Sequence, residues 1–126
     1  MYNNYSLRIM LCHALAFISL LLPINSQAAD ENGQYLVMGL GNSSCKSFLN
    51  EDEAGAAYYI SWLAGYMSSY NHTTEDTYSV LGATKSVLEL ETWLRDYCAF
   101  NGAESFENAA RNLIRNLRLF RIKTKP

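Results

Sequence analysis

His72 is the one histidine after residue 28, and it is the candidate for a general base. It lies in a polar run over residues 71–76. A Ser-His-Asp or Cys-His site would have to use this imidazole. A single histidine in a polar segment is far more often a solvated side chain. A zinc site usually has three or four His and Cys ligands, and the chain lacks them once its two remaining cysteines are paired. The sequence therefore predicts no catalysis at His72 and no metal site.

Carboxylates and glycines give no stronger signal for chemistry. A glycosidase needs only two carboxylates, but the acidic residues 51–53 suit a helix start, and Glu75 and Asp76 suit a solvated loop. The segment 39–42 (Gly-Leu-Gly-Asn) lacks the further glycine and the lysine of a phosphate loop. We expect no enzyme activity and no cofactor. A cell-wall hydrolase that uses paired carboxylates is the least favoured alternative.

The first 28 residues have the composition of a secretory signal peptide. Arg8 is their only charge, an apolar run over residues 9–22 follows, and Ser26 and Ala28 stand at the −3 and −1 positions. A retained membrane anchor needs about 20 apolar residues, whereas this run is shorter and carries His13. We predict a signal peptide over residues 1–28, cleaved after Ala28. The mature protein, residues 29–126, would then be periplasmic or secreted, with no integral membrane span.

Two cysteines, Cys45 and Cys98, remain after such cleavage. An even pair in an oxidising compartment is expected to form a disulfide. A bridge that closes a loop of about 54 residues stabilises a domain by about 4 kcal/mol in chain-entropy models. The alternative is a pair of free thiols, one of them catalytic, which would again require His72.

The charge of the mature chain is mildly acidic and unevenly distributed. Residues 29–126 contain all 12 acidic residues and nine of the ten basic ones. Nucleic acid is therefore not an expected partner, because phosphate binding relies on a basic surface. The basic carboxy-terminal tail is either a solvated helix face with a frayed end or a docking site for an acidic partner or a membrane surface. Its six cations are Arg111, Arg115, Arg118, Arg121, Lys123 and Lys125.

Helical periodicity dominates the mature chain. Residues 35–38 form a short strand or an extended lead-in, after which Ser43 or Ser44 caps a short helix. Asn50 and Glu53 have the spacing of a capping box for the first long helix, which should end near Tyr70. Apolar residues at three- and four-residue intervals predict a second helix over residues 84–100 and a third one capped by Ser105. Their apolar faces are Val87, Leu90, Leu94 and Tyr97, and then Ala110, Leu113, Ile114 and Leu117.

This pattern predicts an all-α fold. It consists of a small helix bundle of three main helices plus a short amino-terminal helix, in a single domain over residues 29–126 with one disulfide.

Aromatic side chains are concentrated on the first long helix, where Tyr58, Tyr59, Trp62 and Tyr66 are candidate partner-binding residues. Tyrosine and tryptophan are enriched in binding hot spots, but the same spacing also suits a core face with hydroxyl groups at its rim. Tyr58 and Tyr59 point in different directions. At least one of the two is therefore expected near the surface.

Three segments together resemble the small secreted proteins grouped with the HdeA/HdeB acid-stress chaperones. The segments are Gly-Asn-Ser-Ser-Cys at residues 41–45, Trp-Leu-Ala-Gly-Tyr-Met-Ser-Ser-Tyr-Asn at 62–71, and Trp-Leu-Arg-Asp-Tyr-Cys at 93–98. The resemblance implies a helical periplasmic domain that is folded at neutral pH, with a homodimer as one expected state. The chain also resembles the Tai-type immunity proteins, although those usually carry more cysteines.

The resemblance implies a non-enzymatic protein-binding function. A chaperone of this kind would loosen in strong acid and bind unfolded clients through its aromatic face. An immunity or inhibitor protein would instead bind and block one specific periplasmic enzyme.

Overall fold

The computed structural model describes residues 29–82 and 86–126, and the chain divides into two units after Tyr35. The predicted signal peptide over residues 1–28 lies outside the described residues. In the described part of the first unit, the Asp30 carboxylate accepts hydrogen bonds from the amides of Asn32 and Gln34. The second unit comprises Leu36–Pro126.

The second unit is all-α, as predicted, and contains three main helices and a short amino-terminal one. Two 3-10 turns flank them, and the described residues contain no β-strand. None of the described helices is long and apolar enough to span a membrane. In chain order, the elements are a 3-10 turn at Gly39–Asn42, α1 at Cys45–Leu49, α2 at Glu53–Thr73, α3 at Val87–Phe100, α4 at Phe106–Leu117, and a 3-10 turn at Arg118–Phe120.

A side-chain cap fixes the start of each helix. Of the two predicted candidates for the cap of α1, Ser44 is the one whose hydroxyl accepts from the amide three residues ahead, and Ser105 does the same for α4, as predicted. Ser86 begins α3 with a complete capping box. The predicted cap of α2 is wrong, because Asp52 accepts from the Gly55 amide while Asn50 ends α1. Two short helices meet there, and Asn50 belongs to the first.

Two other local expectations also need correction. Helix α2 continues to Thr73, so that His72 lies in its last turn and not in a loop. Val87, predicted on the apolar face of α3, is exposed. The buried side chains of α3 are Leu90, Leu94 and Cys98. Of the two alternatives for residues 35–38, the structure has no strand there, and Met38 is extended.

The centre of the core is an aromatic cluster around Phe106, the first residue of α4. Its ring centroid lies 5.0 Å from that of Phe48, 4.8 Å from that of Tyr59 and 5.9 Å from that of Trp62. Phe48 and Phe106 are completely buried. Rings at these distances and tilts pack favourably beyond the area that they bury. One residue of α4 thus holds α1 and α2 together.

Backbone hydrogen bonds join the same two parts of the chain. The Cys45 amide donates to the Glu104 carbonyl at 2.8 Å, and the Phe106 amide donates to the Ser43 carbonyl at 2.8 Å. The predicted disulfide between Cys45 and Cys98 is present and ties α1 to α3. The Lys46 amide also donates to the Gly102 carbonyl at 3.0 Å, so that hydrogen bonds hold the start of α1 against the turn before α4 and the disulfide holds it against α3.

One buried carboxylate completes the packing of α2 on α4. Glu107 accepts a 2.7 Å hydrogen bond from the Tyr66 hydroxyl and pairs with Arg111 at 3.0 Å. A carboxylate can be buried at this position because both partners satisfy it. The arginines of α4 line its outer side as predicted, but Arg111 also has this structural role.

We predict that replacing Cys98 with Ser lowers the free energy of unfolding by about 2–5 kcal/mol, the usual range for a small secreted domain that loses a disulfide. The measurement is urea unfolding followed by Trp fluorescence, with Ala99→Ser as a control at the exposed neighbouring position. A loss below about 1 kcal/mol would mean that packing alone holds α1 on α3.

Candidate binding groove

The predicted partner-binding residues do not form one exposed patch. Tyr58 is 70% exposed, whereas Tyr59 is 3% exposed and belongs to the aromatic core. The expectation that at least one of this pair lies at the surface is confirmed. Tyr59, however, has no accessible ring to offer a partner while the domain is folded, because it packs against Phe48 and Phe106.

Trp62 and Tyr66 are half-buried and serve the fold. Their rings stack at 5.2 Å, and the Trp62 indole donates to the Met38 carbonyl at 2.9 Å. A side chain at Gly41 would overlap the Trp62 ring, so that only glycine fits beneath it. These contacts hold the amino-terminal 3-10 turn against α2. The helical spacing of Trp62 and Tyr66, which suggested a face for binding a partner, also suits a face that packs within the domain.

The residues considered for catalysis remain apart from one another. His72 is exposed at the end of α2, and Asp52 is occupied as a helix cap. No group of three or more His, Cys, Asp or Glu side chains in residues 29–82 and 86–126 has a geometry that could hold a metal ion.

A groove lies between α3 and the carboxy-terminal end of α4. It encloses about 190 Å³, which exceeds the roughly 150 Å³ that admits benzene into an apolar protein cavity. Its walls are mainly apolar, with one carboxylate and one amide. We call it the Trp93 groove, and its lining consists of Glu89, Leu90, Trp93, Leu113, Asn116, Leu117 and Phe120.

Trp93 is held by its stack on Tyr97, with ring centroids 5.3 Å apart and planes 14° apart. The Tyr97 hydroxyl donates to the Glu104 carboxylate at 2.7 Å and accepts from the Asn112 amide at 2.9 Å. Asn108 also donates to Glu104 at 2.7 Å. This polar network joins α3 to α4 and fixes the wall of the groove to which Trp93 belongs.

Phe120 forms the opposite wall and is placed by backbone contacts. Its carbonyl packs against Gly82, where a Cβ would approach that oxygen to 2.7 Å. Gly82 also has φ +68°, a conformation that favours glycine. Two residues later, Ile122 pairs with Ser79 in an isolated antiparallel bridge. Residues 120–122, in the middle of the basic carboxy-terminal tail, are therefore held in place against residues 79–82.

A second, more open depression lies on the other side of Trp93. Its lining includes Leu88, Thr92 and Asp96 together with Glu89 and Trp93. Leu88 is 72% exposed, and Asp96 is exposed and makes no hydrogen bond or ion pair with the described residues. Trp93 is thus flanked by apolar surface and by acidic side chains one turn away on each side.

The Trp93 groove has the volume and the mainly apolar lining to bury one large apolar side chain. Sequence analysis missed it because its two walls are 27 positions apart in the chain. The available signal was the repetition of Trp and Tyr at four-residue spacing in two helices, Trp62 with Tyr66 and Trp93 with Tyr97. The first pair predicts a binding surface, whereas Tyr97 of the second pair is predicted on the apolar face of its helix.

Tyr97 has a perturbed ionisation. Its pKa is raised above the ordinary value because its hydroxyl donates to the Glu104 carboxylate, with burial and repulsion from the same charge adding to the effect. The neutral phenol is therefore favoured in the folded state. Its contribution to stability is complete below the ordinary tyrosine pKa of about 10 and is lost as the pH rises through the higher folded value.

We predict that the free energy of unfolding falls above about pH 10 and that Tyr97→Phe reduces this fall, because Phe has no proton to lose. The measurement is urea unfolding between about pH 9 and pH 11. Tyr58→Phe, at an exposed position, is the control and should leave the alkaline slope unchanged. An identical slope in Tyr97→Phe and the parent protein would contradict the assignment.

Comparison with known proteins identifies no relative: no family model, no curated protein sequence and no solved structure matches the chain.

Proposed function

We propose that the chain is a secreted, non-enzymatic protein-binding domain and that it acts as a periplasmic acid-stress chaperone. The observation that carries the protein-binding part of the proposal is the Trp93 groove, a mainly apolar site on a domain whose described residues form no group that could hold a metal ion. The Cys45–Cys98 bridge supports an oxidising compartment, since such bridges persist there.

The charge of the chain supports an acid-driven change. Between neutral pH and pH 2, its carboxylates lose their charges while the lysines and arginines keep theirs. The net charge of these side chains in residues 29–126 then moves from about −3 to about +9. Self-repulsion on this scale loosens compact domains. The disulfide would keep α1 and α3 together while the packing around them opens.

Loosening would enlarge the apolar surface. The buried rings of Phe48, Tyr59 and Phe106 would become accessible together with the half-buried Trp62 and Tyr66. Unfolding clients expose apolar surface of their own, and the positive charge would keep the complexes apart from one another. The aromatic helix α2 would then bind clients in acid, although Tyr59 is inaccessible in the folded state.

We expect the purified mature domain to suppress light scattering by an acid-sensitive client enzyme at pH 2 to 3, and we expect Cys45→Ser to abolish the suppression. Lys46→Ser, an exposed change in the same helix, is the matched control and should retain it. A domain that stays fully folded at pH 2, or that unfolds and leaves client aggregation unchanged, would rule out the chaperone function.

An inhibitor or immunity protein is the second candidate, and the preformed Trp93 groove favours it. A protein that blocks one enzyme must bind at neutral pH with little reorganisation. Such a protein would form a stoichiometric complex with one secreted enzyme at neutral pH. It would have no effect on unrelated clients in acid.

A further inference from the structure

We infer that the Trp93 groove binds, at neutral pH, a protein segment that presents one large apolar side chain next to a lysine or arginine. The inference rests on the proposed protein-binding function and names the class of partner. The apolar side chain enters the 190 Å³ groove between Trp93 and Phe120, and the cation lies beside Trp93 near Asp96.

The apolar part of the inference follows from size and lining. A volume of 190 Å³ with Leu90, Leu113 and Leu117 at its base accommodates a leucine or phenylalanine side chain. Phe120 remains 69% exposed, so its ring has apolar area that a partner can cover. Aromatic walls around a central pocket are typical of binding hot spots.

The preference for a cation follows from charge complementarity. No lysine or arginine among the described residues lines the groove or the adjoining depression, whereas Glu89 and Asp96 do. Asp96 keeps its carboxylate in solvent without an intramolecular partner in the described residues, while Glu89 also caps α3. A lysine or arginine over an indole face gains a cation–π attraction in addition to that of the carboxylate. An acidic segment would be repelled at the same place.

The test uses three fluorescein-labelled peptides of about twelve residues in a Ser/Ala background, titrated with the mature domain at pH 7 and followed by anisotropy. The first peptide has one phenylalanine between two lysines, the second replaces the lysines with glutamates, and the third replaces the phenylalanine with alanine. We expect the first to bind at least about tenfold more tightly than either of the others. Its advantage over the glutamate peptide should shrink from about 0.05 M to about 0.5 M NaCl.

Matched variants locate the site. Phe120→Ala should weaken the first peptide about tenfold, whereas Phe100→Ala, at a 91% exposed position outside the groove, should not. Asp96→Asn should reduce the preference for the lysine peptide over the glutamate peptide. Glu91→Gln removes a charge outside the groove and the depression and should leave this preference unchanged. Circular dichroism verifies the fold of each variant.

Equal binding of all three peptides, or weakening by Tyr58→Ala and not by Phe120→Ala, would overturn the inference. A dimer that Phe120→Ala dissociates, without binding of the first peptide, would overturn it in favour of a second copy as occupant. The acid scattering assay is independent of these results. Client protection without peptide binding contradicts the groove assignment alone, and peptide binding without client protection contradicts only the chaperone function.

Discussion

The packing of Phe106 against three aromatic rings is the interaction on which the rest of the structure depends. Its contacts reach Phe48 in α1, and Tyr59 and Trp62 in α2. The backbone on either side is fixed by the hydrogen bond from the Phe106 amide to Ser43 and by the buried Glu107. A ring that large cannot be displaced without opening contacts to both helices, because protein cores are close-packed.

The disulfide acts on the same region from the other side. Cys98 lies in the last turns of α3, close to the turn that leads to Phe106, and Cys45 begins α1. The carboxy-terminal end of α3 is therefore covalently held, while its amino-terminal end carries the exposed Val87 and Leu88. The Trp93 groove lies between these two ends. A rigid base with apolar side chains above it suits a domain that binds other proteins.

The sequence was sufficient for features decided by local chemistry. Ser105 is predicted as a cap, and Ser44 as one of two candidates with Ser43, because serine oxygens satisfy the free amides of a helix start, whatever packs around them. The sequence was insufficient at Asn50, which could end one helix or begin the next. In the structure, Asn50 ends α1 and Asp52 caps α2. In α3, the pattern predicts a face of Val87, Leu90, Leu94 and Tyr97, whereas the buried residues are Leu90, Leu94 and the disulfide-bonded Cys98.

The candidate site could not be predicted because it is a product of tertiary structure. Trp93 and Phe120 line the same groove, and the bridge between Ser79 and Ile122 holds the end of the chain beside Gly82. No local periodicity encodes such a contact. The aromatic run on α2 was easier to notice, but Tyr59 there has the spacing of a core residue and the polar atoms of Trp62 and Tyr66 are engaged within the domain.

Native-state hydrogen exchange tests the central role of the Phe106 region most directly. The amides of Cys45, Lys46 and Phe106 donate across the junction between α1 and the turn before α4. If the account is right, these amides exchange only through global unfolding, with the same free energy and denaturant dependence as the slowest amides of α2. Exchange of the three through a small local opening, while α2 and α4 stay protected, would show that the fold does not depend on this junction.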